Sequence, residues 1–389
     1  MSQQLLVDLF DAYYEARRHK RRSVSAAQFE VDFEKKLFCL YEEIIDRSYT
    51  ISPSTCFVVQ RPVQREVFAA DFRDRIVHHL LYGYLNPLCE RIFIYDSYRC
   101  RKGKGAALGK KRLDHFIRSC SQNYTNECYI LKVDILGYFM NMNRDILYEK
   151  IMYILKRYYE RGDAFGVEVV QWLLQLIVFN DPVADCIMKG GVQDWHGLPK
   201  TKSLFHAKDN TGFPIGNLTS QLFANVYLHD FDCYMKYKLG CRYYGRYVDD
   251  IVIVHQDRDF LKRVVLDIRS YLSRELGLLV HPHKIYLQPY SHGVCFLGEV
   301  FKPGRRYVGL RTRRSIYRYI YRWNTVINVQ SGVLQMHQVQ DFLLGINSYL
   351  GSVKYIQSYR FRIKMLQTLQ PKFWQYVGIN TRYDCLYMK

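Results

Sequence analysis

The segment that most constrains the fold runs from Cys241 to His255, where two runs of strand-forming residues meet at a pair of aspartates. The first run, CRYYGRYV, leads into Asp249 and Asp250, and the second, IVIVH, is almost wholly apolar. This pattern predicts a hairpin whose second strand is buried. An acidic hairpin turn is common in proteins and needs no function. A turn fixed to a buried sheet also holds its carboxylates rigidly, which a metal site requires.

A third carboxylate, Asp134, ends the apolar run YILKVD, which predicts a short strand over residues 129–135. Taken alone, a single aspartate at the end of a strand indicates little more than a cap or a surface residue. Carboxylates from neighbouring strands can, however, bind two Mg²⁺ ions that hold the attacking and leaving oxygens of a phosphoryl transfer. Mg²⁺ prefers hard oxygen ligands of this kind.

The segment TGFPIGNLTSQLFANVY predicts a tight turn followed by a capped helix over residues 217–231. Gly212, Pro214 and Gly216 form the turn, and Thr219 and Ser220 lie near the start of the helix. Small residues in such a turn let a backbone approach a base pair closely. An ordinary junction between a loop and a helix is the alternative interpretation of this segment by itself.

The charge balance favours a polyanionic partner, because 56 Lys and Arg face 37 Asp and Glu and the formal net charge is +19. Nucleic acid is the usual partner of so basic a protein, although a merely basic soluble protein has the same composition. Two segments are basic enough to contact RNA phosphates: the cluster Arg17–Arg22 and the Gly-rich loop over residues 101–112. The first of these is equally well interpreted as a solvated surface.

Cysteine usage and hydropathy exclude other classes of protein. The eleven cysteines show no CxxC pair and no regular spacing, so neither a zinc site nor a secreted disulfide framework is indicated. Reduced thiols are typical of a cytoplasmic protein. The N-terminal segment lacks the order of a signal peptide, and no apolar run approaches membrane-spanning length. We therefore expect a cytoplasmic protein that makes no contact with a membrane.

The order of the predicted elements indicates an α+β fold. Residues 1–50 are predicted to be helical, residues 54–68 to form strands and residues 71–93 to form a helix. Strands and helices then mix without the rhythm of a βαβ protein, and the chain is predicted to be helical from Arg311 onward. A mixed region followed by a helical lobe favours α+β.

Taken together, the motifs occur in the order Asp134, GFPIGNLTSQ, YVDD, Lys284 and VCFLG. In this order they resemble the reverse transcriptases over roughly residues 55–370. The resemblance implies a right-hand polymerase with fingers, a palm of antiparallel sheet plus helices, and a helical thumb. It also implies three domains: an N-terminal helical extension over residues 1–53, fingers and palm over 54–300, and a thumb with a C-terminal tail over 301–389.

The same resemblance assigns roles to individual residues. Asp134, Asp249 and Asp250 would form the catalytic triad and, with the carbonyl of Ile135, bind two Mg²⁺ ions, for which Mn²⁺ is a candidate substitute. Lys284 would protonate the leaving pyrophosphate. The deoxynucleotide and template pocket would contain Arg65, Arg61, Phe139, Ile215, Gly216 and Gln221. Among these, Phe139 would exclude the 2′-OH of a ribonucleotide, and Arg65 would hold the triphosphate.

A narrower resemblance is to the reverse transcriptases of diversity-generating retroelements, a bacterial and phage group similar to the group II intron enzymes. It lies in PIGNLTSQLFANVYL, in FRDRIVHH at 72–79, in SYRCRKGKG at 97–105 and in INSYLG at 346–351. Intron and retron enzymes usually have glutamine before the motif glycine, where this chain has Ile215, and a Ser-Pro pair where it has Ser220 and Gln221. Isoleucine cannot hydrogen-bond an incoming nucleotide, and losing one such contact lowers discrimination by about 1 kcal/mol.

This narrower resemblance implies error-prone cDNA synthesis from a template-repeat RNA, with misincorporation opposite adenines and transfer into a target gene by mutagenic retrohoming. The implied partners are the template RNA, the cDNA/RNA heteroduplex, deoxynucleotides and a small basic pentameric accessory protein. One alternative is an intron-like, retron or phage-defence reverse transcriptase without adenine-specific errors. A second is an inactive RNA-binding scaffold, against which the three intact aspartates argue.

Overall fold

The computed structural model describes residues 2–18, 23–60, 63–159, 164–330 and 333–389. The chain divides into two compact units, each built from two separate stretches of sequence. The first unit comprises Met1–Leu113 and Leu131–Leu287, and the second comprises Asp114–Ile130 and Gln288–Lys389. All the sequence motifs from Asp134 to Lys284 therefore belong to the first unit. The domain limits expected at residues 53 and 300 stay a prediction.

Helices dominate both units. They are α1 (Ser2–Arg17), α2 (Val24–Glu30), α3 (Phe33–Ile45), α4 (Phe72–Ile92), α5 (Ala106–Cys120), α6 (Arg144–Tyr158), α7 (Ala164–Phe179), α8 (Leu218–Tyr227), α9 (His229–Cys233), α10 (Arg258–Leu276), α11 (Leu310–Val329), α12 (Met336–Val353) and α13 (Tyr359–Leu366). Local chemistry sets several of their ends. Asp257 caps α10 by accepting hydrogen bonds from the backbone of Asp259 and Phe260, and Gly277 ends that helix in the left-handed region.

The strands are short. They are β1 (Thr55–Val59), β2 (Arg65–Ala69), β3 (Tyr129–Ile135), β4 (Ile187–Met188), β5 (Tyr243–Tyr247), β6 (Asp250–His255), β7 (Val280–Pro289), β8 (Val294–Phe296), β9 (Glu299–Lys302), β10 (Arg305–Val308), β11 (Val377–Ile379) and β12 (Leu386–Met388). The predicted loop between Asn180 and Phe213 contains β4, which pairs in parallel with β1, and three 3₁₀ turns.

A four-stranded sheet in the order β5-β6-β3-β7 positions the predicted acidic residues. The hairpin expected between Cys241 and His255 is present, with β5 antiparallel to β6 and Tyr247 opposite Asp250. The apolar run in β6 is buried, as its sequence indicates. The end of β3 and the β5–β6 turn carry the three aspartates, so the sheet brings together residues more than a hundred positions apart.

Buried apolar side chains form a hydrophobic core in each unit. In the first unit, α1, α3, α4 and α7 share a core that includes Leu9, Leu40, Ile76 and Leu173. In the second unit, the helices α11 to α13 pack together with the hairpin β11–β12, and the rings of Phe342 and Phe373 lie 4.6 Å apart. None of the described helices combines the length and the apolar character needed to cross a membrane.

The expectation that the chain is helical from Arg311 onward is wrong after α13. Residues 377–388 form an antiparallel hairpin instead. Its turn depends on Asn380, whose side-chain oxygen accepts hydrogen bonds from the backbone N–H of Asp384 at 3.0 Å and of Cys385 at 3.3 Å. Local side-chain bonds of this kind compete with the helix for the backbone donors.

Candidate active site

The turn between β5 and β6 is held in a strained conformation. Val248 has a φ of 58°, a left-handed value that is unfavourable for a β-branched residue. The carbonyl of Val248 accepts a hydrogen bond from Nη1 of Arg246 at 3.0 Å. The two peptide units that follow carry Asp249 and Asp250, so the conformation of Val248 sets the direction of both carboxylates.

Arg246 itself is completely buried. Its Nε and Nη2 donate to the two carboxylate oxygens of Asp232 at 2.8 and 2.6 Å, and Nη2 also lies 3.3 Å from the hydroxyl of Ser97. Asp232 accepts a further hydrogen bond from the hydroxyl of Tyr244. A bidentate pair of this kind fixes the guanidinium in one orientation. Arg246 therefore holds the turn from within the core.

Sequence reasoning missed Arg246 and Asp232 as functional residues. The available signal was an arginine at the third position after Tyr243, inside a run that otherwise predicts a buried strand. A charged residue in a core strand is rarely buried without a partner. That signal predicts a partner but does not say which acidic residue it is, because Asp232 lies on α9, outside the hairpin.

The three aspartates share one electrostatic environment. The backbone N–H of Ile135 donates to the carbonyl of Asp249 at 3.3 Å, which ties the end of β3 to the turn. Burial, and then the charge of Asp134, raises the pKa of the Asp249 carboxyl to about 6. Burial also raises the pKa of Asp250, and the charge of Asp134 adds to the effect. Negative charges are therefore crowded at this edge of the sheet.

Two lysines lie against these carboxylates. Nζ of Lys284 is 2.9 Å from Oδ1 of Asp134, and Nζ of Lys132 is 3.0 Å from Oδ1 of Asp250. Lys132 shares a face of β3 with Asp134, because residues two apart along a strand point to the same side. In the described part of the chain Oδ1 of Asp250 is buried and accepts no hydrogen bond, although it lies within ion-pair distance of Lys132. Two ammonium groups thus balance three carboxylates incompletely.

The donor set fits a hard divalent cation. Asp134, Asp249 and Asp250 offer carboxylate oxygens. The buried Ile135, which is the next residue after Asp134 on β3, offers its backbone carbonyl oxygen. Among the described residues, no three carboxylate, imidazole or thiol groups lie close enough together to form a preassembled metal centre. The incomplete charge balance and the buried, weakly satisfied oxygen of Asp250 are what a bound cation would correct. The identity of that cation as Mg²⁺ stays a prediction.

The predicted nucleotide pocket is partly assembled around β2. Phe139 and Ile215 are both half-buried and pack against one apolar cluster, which includes Phe68. The carbonyl of Ile215 accepts a hydrogen bond from the backbone of Phe68 at 3.0 Å. At Gly216, φ is 143° and a Cβ would lie 2.5 Å from the carbonyl oxygen of Phe68. Only glycine fits there, so the loop is fixed closely against the strand.

The other predicted pocket residues are less closely connected. Arg65 is exposed at the first position of β2, and Gln221 is half-buried in α8. Arg61 lies outside the described residues. Next to Arg65, the buried Glu66 was missed by sequence reasoning. It accepts hydrogen bonds from Trp195, from the hydroxyl of Ser203 and from the backbone of Leu204, and so fixes the loop between Asn180 and Phe213 to β2.

Arginines in both basic segments expected to contact RNA are paired within the protein, and the contact with RNA stays a prediction. In the loop over residues 101–112, Arg101 is almost buried and donates to Glu90 and to two backbone carbonyls. Arg112, which lies in α5 and not in a loop, donates to both oxygens of Asp96. Of the cluster Arg17–Arg22, Arg17 is paired with Glu30 and residues 19–22 lie outside the described residues. Arg101 and Arg112 therefore stabilise the fold.

An acidic cluster at the edge of a four-stranded sheet flanked by helices is typical of the class of right-hand nucleic-acid polymerases. The sequence profile of the family "Reverse transcriptase (RNA-dependent DNA polymerase)" matches residues 64–301, more than half of the chain. The chain belongs to the reverse transcriptase family. The predicted α+β fold class is thereby confirmed.

Solved structures of telomerase are similar to this chain at low identity. Apo telomerase from Candida tropicalis is 13% identical, with a TM-score of 0.47, over 84% of this chain and 63% of that one. Telomerase from Candida albicans, in complex with the TWJ fragment of telomeric RNA, is 12% identical, with a TM-score of 0.45, over 87% of this chain and 65% of that one. This chain thus spans less than two thirds of the length of either. No curated protein sequence matches it.

Proposed function

We propose that this chain is an RNA-directed DNA polymerase whose active site is the acidic edge of the β5-β6-β3-β7 sheet. The observation that carries the proposal is the crowding of Asp134, Asp249 and Asp250 at a turn held by Arg246. Reverse transcriptases generally use divalent metal ions, template RNA and deoxynucleotides. Asp134, Asp249, Asp250 and the Ile135 carbonyl would hold such ions, which stabilise the attacking and leaving oxygens when bound.

The chain's own residues have separable roles in this proposal. Arg246 keeps the strained turn in one conformation, so both turn carboxylates face the same space. Lys284 is within hydrogen-bond distance of Asp134 and carries a proton that it can donate to a leaving pyrophosphate oxygen. Lys132 offsets the charge of Asp250. Phe139 supplies an apolar wall that excludes a ribose 2′-OH by contact.

The proposal extends to the type of reverse transcriptase. We infer an error-prone enzyme of a diversity-generating retroelement, acting on a template-repeat RNA in the cytoplasm together with a small basic pentameric accessory protein. Ile215 supports this reading, because its side chain packs with Phe139 in one apolar cluster and offers no hydrogen bond to a base pair. A site that relies on packing alone discriminates weakly between a correct and an incorrect pair.

The experiment is to sequence cDNA made on one RNA template that contains all four bases. Wild-type errors should concentrate opposite adenine. Ile215→Gln should lower those errors several-fold, since one added polar contact is worth about 1 kcal/mol, whereas the apolar control Ile215→Leu should keep the wild-type spectrum. Errors spread evenly over the four template bases would refute the retroelement assignment and leave a plain reverse transcriptase. Absence of any extension product would refute the polymerase itself.

A further inference from the structure

A hollow of about 630 Å³ in the second unit carries surplus positive charge. It lies between the end of α12, the start of α13 and the turn of the β11–β12 hairpin. Its ionic lining consists of Lys354, Arg362, Arg382 and one carboxylate, Asp384. Three cations against one anion leave a net charge of +2. None of these residues lies in the segment matched by the reverse transcriptase family.

Arg362 is the buried member of this group, with 7% of its surface exposed. Its Nη1 is 3.9 Å from the nearest oxygen of Asp384, which is too long for a hydrogen bond. Within the part of the chain that the structure describes, Nε and Nη1 have no hydrogen-bond partner. Buried donors of a guanidinium are costly to leave unpaired. Their planar geometry matches the oxygens of a phosphate group.

Asp384 does not cancel the charge of the hollow. The side chain of Asn380 donates to its carboxylate and lowers its pKa, and the charges of Arg362, Lys354 and Arg382 lower it further. All three cations therefore lie near the same carboxylate. Asp384 orients them without satisfying the donors of Arg362, and the remaining charge is available to an anion.

Exposed tyrosines accompany the cations. Tyr355 is 76% exposed and Tyr359 is 52% exposed, and both line the hollow. Lys354 and Tyr355 are shared with an adjoining hollow of about 660 Å³, whose lining adds Tyr124 and three arginines, Arg118, Arg305 and Arg306. Its lining also contains one carboxylate, Asp114, so the two hollows together form one surface of six cations, two carboxylates and three tyrosines.

We propose that this surface binds single-stranded RNA, with Arg362, Lys354 and Arg382 holding phosphates and the tyrosines stacking on unpaired bases. A duplex hides its base faces, and an acidic protein segment would use the cations but not the exposed rings of Tyr355 and Tyr359. The RNA would be held outside the polymerase motifs, as an anchor for the template. This assignment of the ligand rests on the proposed function.

The test is the binding of a labelled single-stranded RNA to the full chain over a series of salt concentrations. Lys354→Gln combined with Arg382→Gln removes two exposed charges and leaves the core intact. Each lost phosphate contact should reduce the slope of log affinity against log salt concentration by about 0.7. The two substitutions together should weaken binding about tenfold at physiological salt. Arg269→Gln with Arg274→Gln, two exposed arginines of α10, is the control with the same loss of charge and should bind as the wild type does.

Tyr355→Ala separates RNA from other anions. It should weaken RNA binding about fivefold without changing the salt dependence, because it removes stacking and no charge. Wild-type binding by both the charge variant and Tyr355→Ala would overturn the site. Loss of affinity in the charge variant alone, with polyglutamate competing as well as RNA, would overturn the RNA assignment in favour of an acidic protein partner.

Extension of a pre-annealed primer, measured on the same preparations, distinguishes this inference from the proposed function. The charge variant should extend a saturating primer–template as the wild type does, since none of its residues belongs to the active site. A wild type that binds RNA as expected but extends nothing would refute the polymerase and leave the binding surface standing.

Discussion

Two buried arginines, one chosen from each unit, differ in how their hydrogen-bond donors are satisfied. Arg246 in the first unit is fully buried, and its donors are taken by Asp232, by Ser97 and by the carbonyl of Val248. Arg362 in the second unit is 7% exposed and leaves Nε and Nη1 without partners among the described residues. A guanidinium whose donors are all hydrogen-bonded stabilises and positions the residues around it. One whose donors lack hydrogen bonds can donate them to a ligand.

The same contrast holds for the surroundings of each arginine. Arg246 supports an edge with too many carboxylates, at which two lysines offset three aspartates. Arg362 lies in a hollow with too many cations, at which one aspartate faces three basic side chains. We therefore expect a metal cation at the first arrangement and an anion at the second.

The largest expected effect is at the acidic edge. Asp249→Asn should reduce primer extension about a thousandfold or more, because one ligand charge is lost while the shape is kept, and metal-assisted stabilisation amounts to several kcal/mol. Asp134→Asn should do the same. Single-stranded RNA binding through the second unit should not change. Extension at the wild-type rate by either purified variant would contradict the assignment of these aspartates.

The second prediction compares the two arginines directly by the same substitution. Arg246→Met removes the counter-charge of the buried Asp232 and should lower the free energy of unfolding by about 3–5 kcal/mol. Arg362→Met removes a charge that lacks a full partner and should cost about 1 kcal/mol or less. Urea denaturation followed by circular dichroism measures both. Equal losses in the two variants would mean that the arginines do not differ as their hydrogen bonds indicate.

A third prediction concerns the buried imidazole of His78. His78 donates or accepts a hydrogen bond with the hydroxyl of Thr219 at 2.8 Å, and burial, with the nearby charges of His79 and Arg75, lowers its pKa from 6.5 to about 3. Between those values the unfolded chain binds a proton that the folded chain does not. This contribution to stability is therefore full above pH 6.5 and decreases as the pH falls.

At pH 5 the loss from His78 should be about 2 kcal/mol relative to neutral pH. His78→Asn keeps a polar partner for Thr219 but cannot titrate, so its free energy of unfolding should fall less over the same interval. Urea midpoints at pH 7 and pH 5 give the comparison. An identical pH dependence in the wild type and the variant would show that other groups govern the acid sensitivity.

The smallest expected effect concerns sugar selection. Phe139→Ala removes an apolar wall from the cluster that also contains Ile215 and should raise ribonucleotide incorporation about tenfold relative to deoxynucleotide incorporation, the equivalent of 1.4 kcal/mol. Phe139→Tyr, which keeps the ring, is the control and should stay selective. Competition between the two nucleotides in primer extension measures the ratio. Unchanged selectivity in the alanine variant would place the gate at another residue.

Much of the fold and of the acidic site could be predicted from the sequence, because short local patterns specify the strands and turns concerned. The apolar run after Asp250 specified a buried strand, and the glycines around Ile215 specified a turn that the structure confirms by the space left at Gly216. The sequence pattern extends the predicted helical region past its true end after α13. The hairpin turn there depends on hydrogen bonds between Asn380 and residues four and five positions away, and composition does not show such bonds.

The sequence by itself determined the family, the buried hairpin and the positions of the three aspartates at the ends of strand-forming runs. These features depend on periodicity and on the order of short motifs. Only the tertiary structure decided which charges are balanced. It paired Arg246 with Asp232 from another element, tied Arg101 and Arg112 into the fold and left Nε and Nη1 of Arg362 without hydrogen-bond partners among the described residues. Ion pairs form between residues far apart in the chain, so no local pattern can specify them.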